Sequence, residues 1–132
     1  MAIRKVAAVF AACFALLAVG CRIAPIYNVN GDAITSPKAD LTMSDVNKAI
    51  HRAGASLGWQ MQDAGPGHMI GTLHLRDHVA VVDITYDTKS YSINYKDSTN
   101  LQYDAQKGEI HKNYNGWIQN LESNIRTQLL HF

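Results

Sequence analysis

The side chains that could carry chemistry in this 132-residue chain are histidines, one strand carboxylate and a run of tyrosines. His68 and His74 fall on the same face of an alternating stretch, and His78 follows across a short turn. A metal site needs imidazoles converging on one ion. Six strand residues span about 20 Å at roughly 3.3 Å each, so these histidines read as solvated surface. A weak metal contact is left only to His74 and His78, if their turn aligns them. Asp83 sits among valines. Burial raises a carboxylate pKa and suits a general base, but a strand aspartate more often faces water or pairs across the sheet, here with Lys96 or Arg76. No serine–histidine or paired-carboxylate spacing supports catalysis, and no cofactor motif is present. Tyr95, Tyr103, Tyr114 and Trp117 are interleaved with polar residues. Such rings suit a ligand groove beside the last helix, or a core in which tyrosine buries its ring and keeps its hydroxyl at the edge.

The two cysteines belong to the opening of the chain. Arg4 and Lys5 precede an unbroken apolar run, VAAVFAACFALLAV, and Gly20 then stands before Cys21. A positive start, a short apolar core and a small residue at the cut are the layout of a secretory signal. The run is shorter than the roughly 20 residues of a spanning helix. An ordinary cut near Gly20 would leave Cys21 as a free thiol.

Ala18-Val19-Gly20-Cys21 resembles the lipobox of bacterial lipoproteins. Ala18 stands where that motif usually has leucine, with Leu17 one step earlier. The resemblance implies cleavage between Gly20 and Cys21, diacylglyceration of the Cys21 thiol, and acylation of the new amino terminus, as with palmitate. Several acyl chains hold firmly where one holds weakly. Inner-membrane lipoproteins of enteric-type bacteria often carry aspartate after the cysteine. Arg22 stands there, which implies an outer-membrane anchor facing the periplasm. On this scheme Cys13 leaves with the signal and Cys21 carries lipid, so thiol catalysis and zinc-thiolate or iron–sulfur sites are excluded for the mature chain.

The whole chain has 12 basic and 11 acidic residues, and losing Arg4 and Lys5 leaves 10 against 11. A near-neutral domain has no basic footprint for nucleic acid and no polybasic membrane patch. Its length suits one domain.

Three segments follow: a signal over 1–20, a lipidated and flexible tether over 21–41, and one domain over 42–132. Residues 26–30, IYNVN, could add an edge strand, but Pro25, Gly31, Pro37 and the Asn-Gly-Asp turn material favour a tether. Thr42 and Asp45 form a weak capping box, and Met43, Val46, Ile50, Ala53 and Leu57 recur at helical spacing, predicting a helix over 42–55 that exits at Gly54 and Gly58. Residues 59–62, 68–76, 79–86 and 91–96 alternate as strands joined by short turns, which requires antiparallel pairing. Tyr114, Ile118, Leu121, Ile125 and Leu129 share one stripe of a last helix over 111–130. The expected fold is α+β, a two-layer sandwich of a three- to four-stranded antiparallel meander and two amphipathic helices in α-β-β-β-β-α order. The helices should cover Leu73, Leu75, Val82, Ile84, Tyr91 and Ile93. Ile70, Val79 and Val81 should face away, as a wet surface or a partner face.

The stretches GPGH, HVAVVDITY, YSINYKDSTNLQYD and IHKNYNGWIQNLE are similar to those of a group of small, uncharacterised lipoproteins from Gram-negative bacteria. The likeness spans most of residues 23–125 and implies a lipidated periplasmic α+β domain without catalytic residues. The expected function is therefore that of a non-enzymatic envelope lipoprotein, bound to the membrane by its lipid and to an envelope protein by its open sheet face or a strand edge. The alternative is a binding module for a small envelope ligand such as a peptidoglycan fragment, held by the tyrosines.

Overall fold

The computed structural model describes residues 22–132. Gly20, Cys21 and the signal segment lie outside them. The elements in chain order are β1 (Ile23–Pro25), β2 (Val29–Ala33), α1 (Met43–Ser56), β3 (Gln60–Asp63), β4 (His68–Leu75), β5 (His78–Tyr86), β6 (Ser90–Thr99), β7 (Glu109–His111) and α2 (Lys112–Leu129). Five strands form an antiparallel sheet in the order β2-β6-β5-β4-β3, and β1 pairs with β7 in a second, two-stranded sheet. The two-layer α+β architecture is as expected, with more strands than the meander alone supplies.

Alternation builds the central strands. Met69, Leu73, Ala80, Val82, Ile84, Tyr91 and Ile93 are buried toward the helices. The α2 stripe named above is buried along its whole length, from Tyr114 to Leu129. Between Tyr86 and Tyr91 the Asp87 carboxylate accepts the Lys89 and Ser90 amides at 2.7 and 2.8 Å, which closes the turn. One register break changes the pattern. Val81 pairs with Asp97 but Val82 pairs with Tyr95, so Lys96 is the extra residue of a bulge. Strict alternation would put Tyr95 and Ser98 on opposite faces. The bulge puts both on the helix side, where their hydroxyls meet at 2.7 Å.

Helix α1 starts as its capping box requires. Thr42 Oγ1 accepts the Asp45 amide at 3.1 Å, and Asp45 Oδ2 accepts the Thr42 amide at 3.0 Å. Gly54 lies inside the helix and is buried, not at its exit. A Cβ there would collide with Met61 Sδ and come within 2.6 Å of Met61 Cγ, so the glycine lets α1 lie close over β3. Met43, Leu57 and Leu75 are exposed, contrary to expectation. Met43 opens α1, Leu57 caps its end, and Leu75 ends β4 beyond the reach of β3, whose last pair is Gln60 with Thr72.

Gly116 faces open space in α2. Alanine has the higher helix propensity by about 1 kcal/mol. Gly116→Ala is therefore expected to raise stability by up to about that amount in urea unfolding. A loss of stability would show a hidden contact at that site.

Residues 22–41 are not a loose arm. Val29 pairs with Ile93 and is buried, and Asp32 and Ala33 pair with Tyr91 and Ser90. Ile23, Ala24 and Pro25 pair with His111, Ile110 and Glu109. Asparagine side chains carry the crossing between the two sheets. Asn115 Oδ1 accepts the Tyr27 amide at 2.9 Å while its Nδ2 donates to the Pro25 carbonyl at 2.9 Å. Asn28 Oδ1 accepts the Tyr95 amide at 3.0 Å. These bonds tie the segment from Pro25 to Asn28 to the rest of the domain.

Candidate functional site

The open sheet face carries Ile70, Val79 and Val81, all half-buried. Register sets them beside Asp83, His74 and Thr72 respectively. The strip they form is thus broken up by polar neighbours. Its charged centre is Asp83. His68 Nε2 lies 2.7 Å from Asp83 Oδ1, and Lys96 Nζ lies 3.6 Å from Asp83 Oδ2. The carboxylate is held from both sides across the strands, by a hydrogen bond with the His68 ring and by the Lys96 ammonium. Lys96 is one of the two partners expected for it; His68 takes the place of Arg76. Ser92 Oγ is committed elsewhere, accepting the Gly31 amide at 2.9 Å.

His74 and His78 do not meet. His78 pairs with Leu75 and so shares that residue's face, opposite to His74. Its ring sits 6.4 Å from Trp117, and its Nδ1 lies 2.9 Å from the Asn100 carbonyl oxygen. Among the described residues no three His, Cys, Asp or Glu side chains converge as metal ligands.

The aromatic residues divide into two places. Tyr95 stacks on Tyr103 at 4.0 Å and meets Tyr114 edge-on at 5.8 Å. Tyr114 is fully buried, while Tyr103 is 41% exposed. Trp117 stands apart, beside a small cleft of about 60 Å³ shared with Leu57, Trp59, Leu73 and Asn120. The four aromatics therefore do not form one groove. Tyr114 belongs to the inward stripe of α2, and Trp117, three residues on, sits at the margin of that stripe.

A site with no sequence signal joins β2 to α2. Arg126 Nε donates to Asp32 Oδ2 at 2.9 Å, and Arg126 Nη2 lies 3.5 Å from Glu122 Oε1. The Tyr91 hydroxyl donates to Asp32 Oδ2 at 2.8 Å, and the Tyr27 hydroxyl reaches the Glu122 carboxylate at 3.0 and 3.1 Å. A cleft of about 390 Å³ opens beside this network, walled by Ala33, Thr35, Leu129 and Leu130. The Arg126 hydrogen bond holds the Asp32 carboxyl below the usual range, against the opposing effect of desolvation. Arg126 is raised in turn, chiefly by Asp32. Burial pushes the Tyr91 and Tyr27 hydroxyls up, and hydrogen bonds to Asp32 and Glu122 respectively add to this. Two acids around one guanidinium leave a surplus of negative charge, so the arrangement works as a clamp between strand and helix more than as an anion site.

Two tyrosines give opposite expectations. Tyr91→Phe removes a hydrogen bond to a carboxylate and is expected to cost about 1.5–3 kcal/mol. Among the described residues the buried Tyr114 hydroxyl has no partner. Tyr114→Phe is expected to stabilise by about 1 kcal/mol, because an unsatisfied buried hydroxyl is itself costly. Urea denaturation of both variants checks the pair. Equal losses would mean that the Tyr114 hydroxyl is bonded in solution.

Acid should weaken the clamp. A carboxyl with a lowered folded pKa stabilises the protein above its unfolded pKa, near 3.9, and that contribution fades as pH falls through the lower folded value. The melting temperature should drop between about pH 5 and pH 2, and Asp32→Asn should flatten part of that drop. Asp45, lowered to about 2 chiefly by Lys38, and Asp63 and Asp87, also lowered, keep the remainder. An unchanged acid limb in Asp32→Asn would exclude the clamp from acid stability.

No protein-family model, curated protein or solved structure matches this chain.

Proposed function

We propose that this chain is a lipid-anchored envelope lipoprotein whose α+β domain serves as a non-enzymatic interaction module on the periplasmic side of the outer membrane. The observation that carries it is the opening sequence: a basic start, one apolar run, and Ala18-Val19-Gly20-Cys21. Arg22 after the cysteine supports the outer membrane, and the likeness of GPGH and HVAVVDITY to Gram-negative lipoproteins supports the class. Among the described residues no helix is long and apolar enough to cross a membrane. The partner surface is the open face around Ile70, Val79 and Val81, with the short edge strand β3 beside it. Strand addition at a sheet edge is an established docking route, and an antiparallel sheet can leave one face open.

The test is metabolic labelling with an alkyne palmitate analogue, followed by membrane fractionation, on the full chain and on Cys21→Ser. The full chain should carry label and sediment with the outer membrane; Cys21→Ser should lose the label. An unlabelled full chain would remove the anchor. A photo-cross-linker at Val81 should then capture one envelope protein that a cross-linker at exposed Lys48 does not. Equal capture at both would remove the open face as the partner surface.

A further inference from the structure

The first strand begins two residues after the proposed anchor, and this limits how far the domain can stand from its membrane. The Arg22 carbonyl accepts the Lys112 amide at 2.8 Å, and Ile23 is in register with His111. The Ile26 amide donates to the Gly108 carbonyl at 2.9 Å, which secures the other end of β1. Consecutive Cα atoms are about 3.8 Å apart, so the Ile23 Cα lies no more than about 7.6 Å from that of Cys21. The headgroup layer of one leaflet is about 5–8 Å thick. A free segment over 22–41 would reach roughly 60 Å or more; the strand pairings remove that reach.

We propose that, in the lipidated chain, the corner built by β1, β7 and the first turn of α2 is seated on the phospholipid headgroups, which fixes the orientation of the domain. This rests on the lipid-anchor proposal. The corner suits an anionic lipid surface. Arg22, Lys107 and Lys112 are all exposed there. The two acids of the corner are partly buried, and Asp104 is engaged by the Gln106 and Lys107 amides at 3.0 and 3.1 Å; Glu109 is the other. Tyr103 lies on the adjoining segment, where Leu101 accepts the His111 amide at 2.8 Å. An exposed tyrosine ring is at home at a membrane interface. At about 1.5 Å per residue, α2 carries Arg126 and its cleft up to about 21 Å from Lys112. The seating thus makes one end of the domain membrane-proximal and leaves the Asp32–Arg126 end distal.

The test uses the full lipidated chain in vesicles of phosphatidylethanolamine and phosphatidylglycerol doped with a nickel-chelating lipid. A nitroxide is placed by Lys112→Cys or by Thr127→Cys, both exposed positions. Relaxation enhancement by headgroup nickel should be several-fold stronger at 112 than at 127. A long Gly-Ser insert between Cys21 and Arg22 should abolish the difference. Equal enhancement at the two positions in the unaltered chain would overturn the seating while leaving the anchor in place. Failure of the chain to sediment with vesicles would instead overturn the anchor and the seating with it.

Discussion

Deleting residues 22–36 is expected to leave the domain largely unfolded at room temperature. A dispensable arm could be removed without a change in melting temperature. Here the deletion takes away buried Val29 and the core contacts of Ile26, Tyr27 and Ile34. Burying such a side chain is worth about 1.5–3 kcal/mol. That figure is for full burial, which Val29 alone reaches; with the other three counted at about half, the loss is roughly 4 kcal/mol at the low end, before the ordering entropy of the segment offsets part of it. Domains of this size have only about 5–15 kcal/mol in hand. The same cut strips Arg126 and Tyr91 of Asp32 and turns β6 into a bare edge. Circular dichroism with thermal melting is the measurement. A truncated domain that melts cooperatively at the parent temperature would refute the role given to β1 and β2.

Gly67→Ala is expected to cost about 3 kcal/mol. Two causes act together. Gly67 has φ +67°, in the left-handed region that disfavours a Cβ. A Cβ there would also stand 2.7 Å from the Tyr86 carbonyl oxygen, a backbone atom that cannot swing aside. The Gly67 carbonyl accepts the Tyr86 amide at 2.9 Å, so relieving the clash breaks that bond at the end of the β4–β5 pair. Urea unfolding checks it. A loss under about 1 kcal/mol would mean that the turn relaxes freely. The contrast with Gly116→Ala separates the two roles of glycine in one fold.

Much of the domain was legible in order. The α1 and α2 stripes and the alternation in β4 to β6 are periodic, because each element has one dry face, and burial imposes the period of the backbone on the side chains. The bulge at Lys96 was not legible. Alternation has no mark for an extra residue, and its parity shift decides that Ser98 joins Tyr95 on the helix side. The candidate surfaces divide similarly. Ile70, Val79 and Val81 could be assigned to the outer face by counting. The separation of Trp117 from Tyr95, Tyr103 and Tyr114 could not, because it depends on how α2 lies across the sheet.

By itself the sequence determined the α+β class, the two helices and the central strands, and it carries the pattern on which the proposed anchor at Cys21 rests. These depend on local order: a charge pattern before an apolar run, and hydrophobic periods within single elements. Only the tertiary structure decided that residues 23–25 and 29–33 are strands and that Asp32, Tyr27, Tyr91, Glu122 and Arg126 meet. Short edge strands have too few residues to show a period, and VNGDA is mostly exposed. Their conformation is set by hydrogen bonds from β6 and β7, far along the chain. Polar contacts between distant residues leave no spacing to read, because their geometry exists only after the hydrophobic layers have packed.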